Sequence, residues 1–533
     1  MKRIALPLLA LLFVISLSSC SAGGGGGGGN RELTILSGSE NRELEPILAE
    51  FTQSSGIRVN MVYLGSVEIM SEIRAGAQEY DAVWPANSIW ISMGDDSGLV
   101  KHSKSIMASP IVFGIQKSLA ERLGFTGRDV TVREVLDAVE SGQLRFAMTS
   151  ATQSNSGAGA YLGFLYAMLG KQTPMTREDL SSNELREDVK RLLSGVNRSS
   201  SSSEWLKDLI VAAGPLDNLN AMVNYEALVI AANRELVAAG REPLYVVYPV
   251  DGMSLADSPL GYLDRGDGQK ESDFLELQEF LLSEQIQRRL NDLGRRTGLD
   301  LVVRNPSQAV WNADCGISAD RQLSFIILPQ REVLLEALNL YQSALRRPSA
   351  TVYCLDYSGS MNRGSRYDNM ITALGHVLNQ ELAASAMLQN TPDDFTAVIA
   401  FNNRIIDVKS VYGNDPDEMM ELFEWARKMR PIGGTDIFTP SASGISLLSG
   451  LEDSQNFNMA VVLFTDGESN TGMSASDFEE WLWQNETGIP VFSILFGEAS
   501  SSQLDRIAAL TSARGFDGRG DLSQAFRQVR GYN

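Results

Sequence analysis

Short runs rich in β-branched and aromatic residues alternate with helix-period stretches along nearly the whole chain, a pattern that predicts α/β layering with mainly parallel sheets. Near the start, Leu33-Thr34-Ile35-Leu36 precedes a helical pattern from Glu43 to Gln53, then come Ile57 to Tyr63, a second helical pattern from Val67 to Ala77, and Tyr80 to Trp84. The alternation resumes after residue 346, where Val352 to Leu355, Thr396 to Phe401, Val461 to Phe464 and Val491 to Leu495 read as core strands. Between the two blocks, Asn305-Pro306-Ser307 through Ser318 is turn-rich and weakly periodic, and a helix is expected from about Gln330 to Arg346. Ser199 to Ser203 reads as a short polar loop that ends at a helix start near Glu204. No internal repeat is evident. The chain therefore divides into a unit over 33–310, a linker and connecting helix over 311–345, and a second unit over 346–533.

The N-terminus follows another rule. Met1-Lys2-Arg3 supplies positive charge and Ile4 to Leu17 an apolar run of about 14 residues, the length of a signal-peptide core and too short for a stable membrane span. Leu17-Ser18-Ser19-Cys20 closes that run and resembles the lipobox of bacterial lipoproteins. The resemblance implies removal of residues 1–19 and lipidation of Cys20. Gly23 to Gly29 then reads as a flexible tether within 20–32, reaching about 15 Å as a random coil. No later run reaches the length of an apolar span, so the chain is expected to be lipid-anchored in the cell envelope, facing the periplasm or the exterior.

Composition is that of a globular body, with 44% hydrophobic and 21% charged residues. The formal charge of −21 is spread over both units, since residues 346–533 hold 14 basic and 24 acidic groups and so contribute −10. Diffuse acidity argues against nucleic-acid binding and against adsorption to anionic lipid, both of which need basic patches. Beyond Cys20 only Cys315 and Cys354 remain. Cys354 lies in the buried-strand pattern Thr351 to Leu355, where cysteine behaves as a small apolar residue, and free thiols are expected. With two histidines in the whole chain, His102 and His376, the sequence argues against a histidine-based zinc site and against a Ser-His-Asp hydrolase.

The most specific chemistry is Asp356-Tyr357-Ser358-Gly359-Ser360, directly after the strand Val352 to Leu355. An Asp-x-Ser-x-Ser loop at the carboxyl edge of an open sheet offers one carboxylate and two hydroxyls in the usual ligand crevice of such sheets. These are hard oxygen ligands of the kind Mg²⁺ takes. Two companions strengthen the reading: Gly433-Gly434-Thr435-Asp436, and the strand Val461 to Thr465 ending at Asp466 and Gly467. Together they resemble the metal-ion-dependent adhesion site of von Willebrand factor A domains, over roughly residues 349 to 530. That resemblance implies a doubly wound, Rossmann-like fold and a Mg²⁺ (or Mn²⁺) ion. Ser358 and Ser360 would be direct ligands, Thr435 a ligand in one state, and Asp356 and Asp466 ligands directly or through water. It further implies a protein partner that offers a carboxylate to an open coordination position. No positioned base or nucleophile stands nearby, so catalysis is not expected.

The first unit resembles type-2 periplasmic solute-binding proteins over about residues 33 to 285. The resemblance rests on Thr34-Ile35-Leu36-Ser37-Gly38-Ser39, Tyr80 to Asn87, Ser109 to Gly114 and Tyr248-Pro249-Val250-Asp251-Gly252. It implies two α/β lobes around a cleft. Ser154-Asn155-Ser156-Gly157, opening a helix, presents free N–H groups and hydroxyls suited to an anion, and Ser37, Ser39, Ser66 and Asn87 sit at strand-to-helix junctions that could face the same cleft. Each is equally a helix cap. Two functions follow. One is an envelope protein that grips a protein or surface through the metal site, with the solute-binding-like unit as sensor or scaffold. The alternative is a transporter-associated solute receptor with an accessory A domain.

Overall fold

The computed structural model describes residues 31–214, 219–298, 300–497, 501–519 and 522–531. The signal sequence, Cys20 and the glycine tether lie outside the described residues. Three sheets organise the rest.

The first sheet begins with β1 (Glu32–Ser37), β2 (Arg58–Tyr63), β3 (Ala82–Trp84) and β4 (Val100–Ser105). The chain then crosses to a second sheet built from β5 (Ser109–Gln116), β6 (Phe146–Thr149), β7 (Val196–Ser200), β8 (Ala221–Tyr225), β9 (Leu244–Val247) and β10 (Leu255–Ala256). It returns through β11 (Pro259–Leu263), which completes the first sheet in the order β2-β1-β3-β11-β4. The second sheet runs β10-β5-β8-β6-β7, with β9 beside β5. Two short crossings, Ile106 to Ala108 and Asp257 to Ser258, thus join two lobes. Arg296 stabilises this joint: its guanidinium pairs with Glu226 at 2.7 and 2.8 Å, both side chains wholly buried, while its backbone exchanges hydrogen bonds with Ala108.

The second sheet departs from the expected parallel pattern, because β5 runs antiparallel to β8, β9 and β10. A strand buried on both faces, as β5 is, reads as one apolar run whichever way its neighbours point. The stretch read as a polar loop at Ser199 to Ser203 is partly strand: β7 pairs in parallel with β6, and its serines are buried against that pairing. The following helix, Ser203–Ala212, is capped by the Ser202 hydroxyl as its composition predicts.

Residues 303 to 345 pack on the second lobe. Val303, Trp311, Cys315 and Ile317 enter its core, and the helix Arg331–Leu340, extended by Tyr341–Leu345, buries Leu334, Ala337, Leu338 and Tyr341 against the helix Asn155–Leu169. Tyr161 Oη donates to the Ala337 carbonyl at 2.9 Å. Both Cys315 and Cys354 are free and buried.

The third sheet contains β12 (Ser349–Asp356), β13 (Phe395–Phe401), β14 (Ile405–Tyr412), β15 (Asn458–Thr465), β16 (Val491–Leu495) and β17 (Gly515–Asp517). Its order is β14-β13-β12-β15-β16-β17, parallel throughout except for the edge strand β14. Every residue of β12 is buried. Side-chain alternation explains this: Tyr353 and Leu355 enter the core under the helices Arg366–Leu378 and Leu522–Arg530, and Val352 and Cys354 enter the opposite core under the helix Phe438–Ser449. This is a sheet wound from the centre outwards in both directions. Its topological switch falls between β12 and β15, where a crevice opens at the carboxyl ends.

With each lobe counted as a unit of its own, the third unit, residues 346–533, docks on the second lobe through β7 and its neighbours. Arg347 Nη1 donates to the Val196 carbonyl at 2.9 Å, Arg198 Nη2 to the Gly488 carbonyl at 2.6 Å, and the Trp205 ring lies 6.1 Å from that of Phe492.

Candidate functional site

At the switch between β12 and β15 the structure brings the five residues of the sequence motif to one crevice. Asp356 ends β12 and is wholly buried. Its Oδ1 accepts from the Ser358 N–H at 2.7 Å, and its Oδ2 accepts from Thr465 Oγ1 at 2.7 Å. The Ser358 and Ser360 hydroxyls lie 2.9 Å apart, and Ser360 Oγ donates to Asp466 Oδ1 at 2.7 Å. Thr435 arrives on the neighbouring loop, which is pinned to the first by the Gly359 N–H to Gly433 carbonyl bond of 2.9 Å. Gly467 marks the centre: a Cβ there would stand 3.9 Å from both Ser360 Oγ and Thr435 Oγ1.

Burial pushes the Asp356 carboxyl up to about 6, and the nearby Asp466 charge adds to this, against the lowering effect of its bonds from Thr465 and Ser358. Two buried carboxylates drawn together repel each other, and a cation relieves that repulsion. Among the described residues no group of three or more His, Cys, Asp and Glu is placed to hold a metal. The crevice instead combines two carboxylates with three hydroxyls, a hard, weakly charged donor set that fits Mg²⁺ or Mn²⁺. Two participants had no signal in the motif: Thr465, which reads as one more strand residue, and Arg366, whose Nη1 donates to Asp466 Oδ2 at 2.6 Å.

The seven polar residues proposed for the first unit lie between or beside its two lobes, and all are buried. The lobes are closed on one another. The Val67 N–H of the first lobe donates to the Gln153 carbonyl of the second at 3.1 Å, and Trp90 Nε1 donates to Asn155 Oδ1 at 2.8 Å. At the rim, Arg42 and Glu204 form an ion pair at 2.6 Å. Gly65 permits this fit, since a Cβ there would meet the Gln153 carbonyl oxygen at 2.1 Å.

Most of the seven are occupied by protein partners. Ser37 accepts from Asn41 Nδ2 at 3.1 Å, Ser66 from the Ala86 N–H at 3.0 Å, and Asn87 caps the helix Ser88–Gly94 while donating to the Leu255 carbonyl at 2.7 Å. Asn155 bridges Trp90 and the Tyr225 hydroxyl, the latter at 3.1 Å. Ser156 bonds Thr149 and Ser203 at 2.7 Å each, and Ser154 lies 3.2 Å from Ser203. Ser39 opens the short helical turn Ser39–Leu44. Glu40 and Asn41, in that same turn, escaped the sequence reading. Each has a buried oxygen, Oε1 and Oδ1 respectively, with no hydrogen-bond partner. Burial raises the Glu40 carboxyl to about 7, opposed by its own backbone N–H and by Arg295. A cavity of about 230 Å³ lies where all three units meet, bordered by Glu68, Gln153, Met387 and Arg527.

Comparison with known proteins finds a family match over the first unit. Residues 33–296 match the family described as bacterial extracellular solute-binding protein. No curated protein matches the chain. Among solved structures, the chain is similar to the sulfate-binding protein SubI from Mycobacterium tuberculosis H37Rv, with 16% identity, 57% of this chain and 96% of that chain covered, and a TM-score of 0.41. It is also similar to the periplasmic binding protein AfuA from Actinobacillus pleuropneumoniae, with 11% identity, 60% and 99% covered, and a TM-score of 0.44. A putative spermidine/putrescine ABC transporter from Listeria monocytogenes gives 16% identity, 58% and 97% covered, and a TM-score of 0.45.

Proposed function

We infer that the first two lobes, whose residues 33–296 match that family, form an extracellular, non-catalytic solute-binding region, followed by a further α/β domain of mostly parallel strands. We propose that the chain is a solute-binding protein of the ABC-transporter type, tethered to the envelope through a lipidated Cys20, whose C-terminal domain is of the von Willebrand A type. Of the two readings that the sequence allowed, the family match favours the solute receptor over a protein in which the lobes are merely a scaffold. Among the described residues no helix is long and apolar enough to cross a membrane.

The single observation that supports a working role for the C-terminal domain is the convergence of Asp356, Ser358, Ser360, Thr435 and Asp466 at the switch point of its sheet. Those residues would hold Mg²⁺ or Mn²⁺, and the bound ion would supply an electrophilic position for a partner's carboxylate. The sheet supplies the orientation: Asp356 and Asp466 are held by strand ends, and Ser358 and Ser360 by a loop fixed to Gly433.

Titration calorimetry of the metal-stripped chain with Mg²⁺ and Mn²⁺ tests the metal half. Saturable binding that disappears in Asp356→Ala and Asp466→Ala supports it, and a folded wild type that takes up neither ion removes it. Thermal-shift screening against anions, sugars and amines tests the solute half. If no solute stabilises the protein, the receptor reading fails.

A further inference from the structure

Asp466 is approached from two sides. Its Oδ1 accepts from Ser360, one of the candidate ligands, and its Oδ2 accepts from Arg366 Nη1 at 2.6 Å. Arg366 is the first residue of the helix Arg366–Leu378, so the loop that carries Ser358 and Ser360 also delivers this guanidinium. A third segment makes room for it. Gly497, just beyond β16, adopts φ +87°, and a Cβ there would stand 3.0 Å from Arg366 Cζ. The positive φ and the close approach both require glycine at this position. The Asp466 side chain is 0% exposed and that of Arg366 only 18%, so solvent screens their attraction weakly.

We propose that Arg366 is a tethered counter-cation of the metal site, a residue that neutralises Asp466 and thereby sets how tightly a divalent ion is held. This rests on the metal reading given above. The physics is a competition. With Arg366 in place, the charge that Asp466 presents to an incoming ion is already partly balanced, and a doubly charged ion must also bear the repulsion of a guanidinium a few ångströms away. The ion alone is then held weakly. A partner that brings its own carboxylate restores the missing negative charge, so ion and acidic partner bind more tightly together than either does singly. Arg366 is a positioning residue here. It touches the ligand Asp466 and need not touch the ion.

The test titrates the full mature chain, stripped of metal, with Mg²⁺ and with Mn²⁺ for wild type, Arg366→Gln and Arg366→Lys. It adds thermal melts of each in excess chelator. A nearby opposite charge typically moves such an equilibrium by one decade or more. Arg366→Gln should therefore bind either ion about tenfold more tightly or better, and should melt lower in chelator because Asp466 loses its partner. Arg366→Lys should stay near wild type in both. Wild-type binding that is unchanged or weakened in Arg366→Gln overturns the proposal and leaves the metal site standing. No binding in wild type or in Arg366→Gln removes the metal reading and this proposal with it.

Discussion

The interlobe cleft and the β12–β15 crevice are both polar, both buried and both placed at the carboxyl ends of strands, yet their polar groups are spent in opposite ways. In the cleft, most hydroxyls and amides satisfy one another: Ser156 with Thr149 and Ser203, Asn155 with Trp90 and Tyr225, Asn87 with its own helix. In the crevice, two carboxylates converge on a set of hydroxyls, and among the described residues Thr465, Ser358, Ser360 and Arg366 temper them. A neutral network is content when closed, and a carboxylate pair is not. The first therefore describes a pair of lobes shut upon themselves, and the second a crevice whose charge is the reason a cation is proposed there.

Breaking the crevice should have the largest effect. Asp356→Ala removes the buried strand-end carboxylate, and saturable Mg²⁺ binding by calorimetry should disappear, while the sheet keeps its circular dichroism spectrum. The cleft depends instead on its joint. Glu226→Ala leaves the wholly buried Arg296 without its carboxylate, with only backbone carbonyls such as those of Leu301 and Ser318 to accept from it, and should lower unfolding stability by about 3–5 kcal/mol in urea titration. An unchanged midpoint would mean that the joint is not held by this pair.

A smaller effect comes from Glu40, held at about 7 by burial. A carboxyl whose folded pKa exceeds its unfolded value stabilises the fold fully below the unfolded value, near 4.5, and that contribution is lost as pH rises through 7. Glu40→Gln should thus raise stability at pH 8 relative to wild type, by at most about 3 kcal/mol, and flatten the pH dependence between 4.5 and 7. Melting curves across that range decide it, and parallel curves for the two proteins would rule it out. The mildest test is Ser156→Ala, which removes one hydroxyl from the serine network and should cost about 1 kcal/mol. A loss several times larger would show that the network carries the helix Asn155–Leu169 and is more than a set of local caps.

The same contrast explains what could be read from the chain in advance. The convergence of the crevice residues was legible because the candidate ligands follow strand ends at fixed offsets, Asp356 after Leu355 and Asp466 after Thr465, and strand ends are visible as breaks in apolar runs. Arg366 and Gly497 were not, since an arginine after a loop and a glycine after a strand have many ordinary explanations. The α/β layering was legible from alternation and the two lobes only from the resemblance to solute-binding proteins, but the antiparallel pairing of β5 was not, because a strand buried on both faces carries no mark of its neighbours' direction. In the cleft, the serines and asparagines could be located at junctions, while their partners depended on contacts between residues such as Trp90 and Asn155 that lie in different lobes.

Gln153 joins all three units through one residue. Its carbonyl receives the Val67 N–H of the first lobe, and its side-chain Nε2 donates to the Arg527 carbonyl of the C-terminal helix at 2.7 Å. A hinge motion that parts the lobes cannot leave that residue at rest with respect to both neighbours. Either the loop lets go of Val67 and stays moored to the C-terminal helix, or it is pulled along and tugs that helix with it. The amide protons at Val67 and along Leu522–Arg530 should record the difference as separate or shared exchange rates. Solute traffic in the lobes would then be audible, as a mechanical tremor, at the far end of the polypeptide.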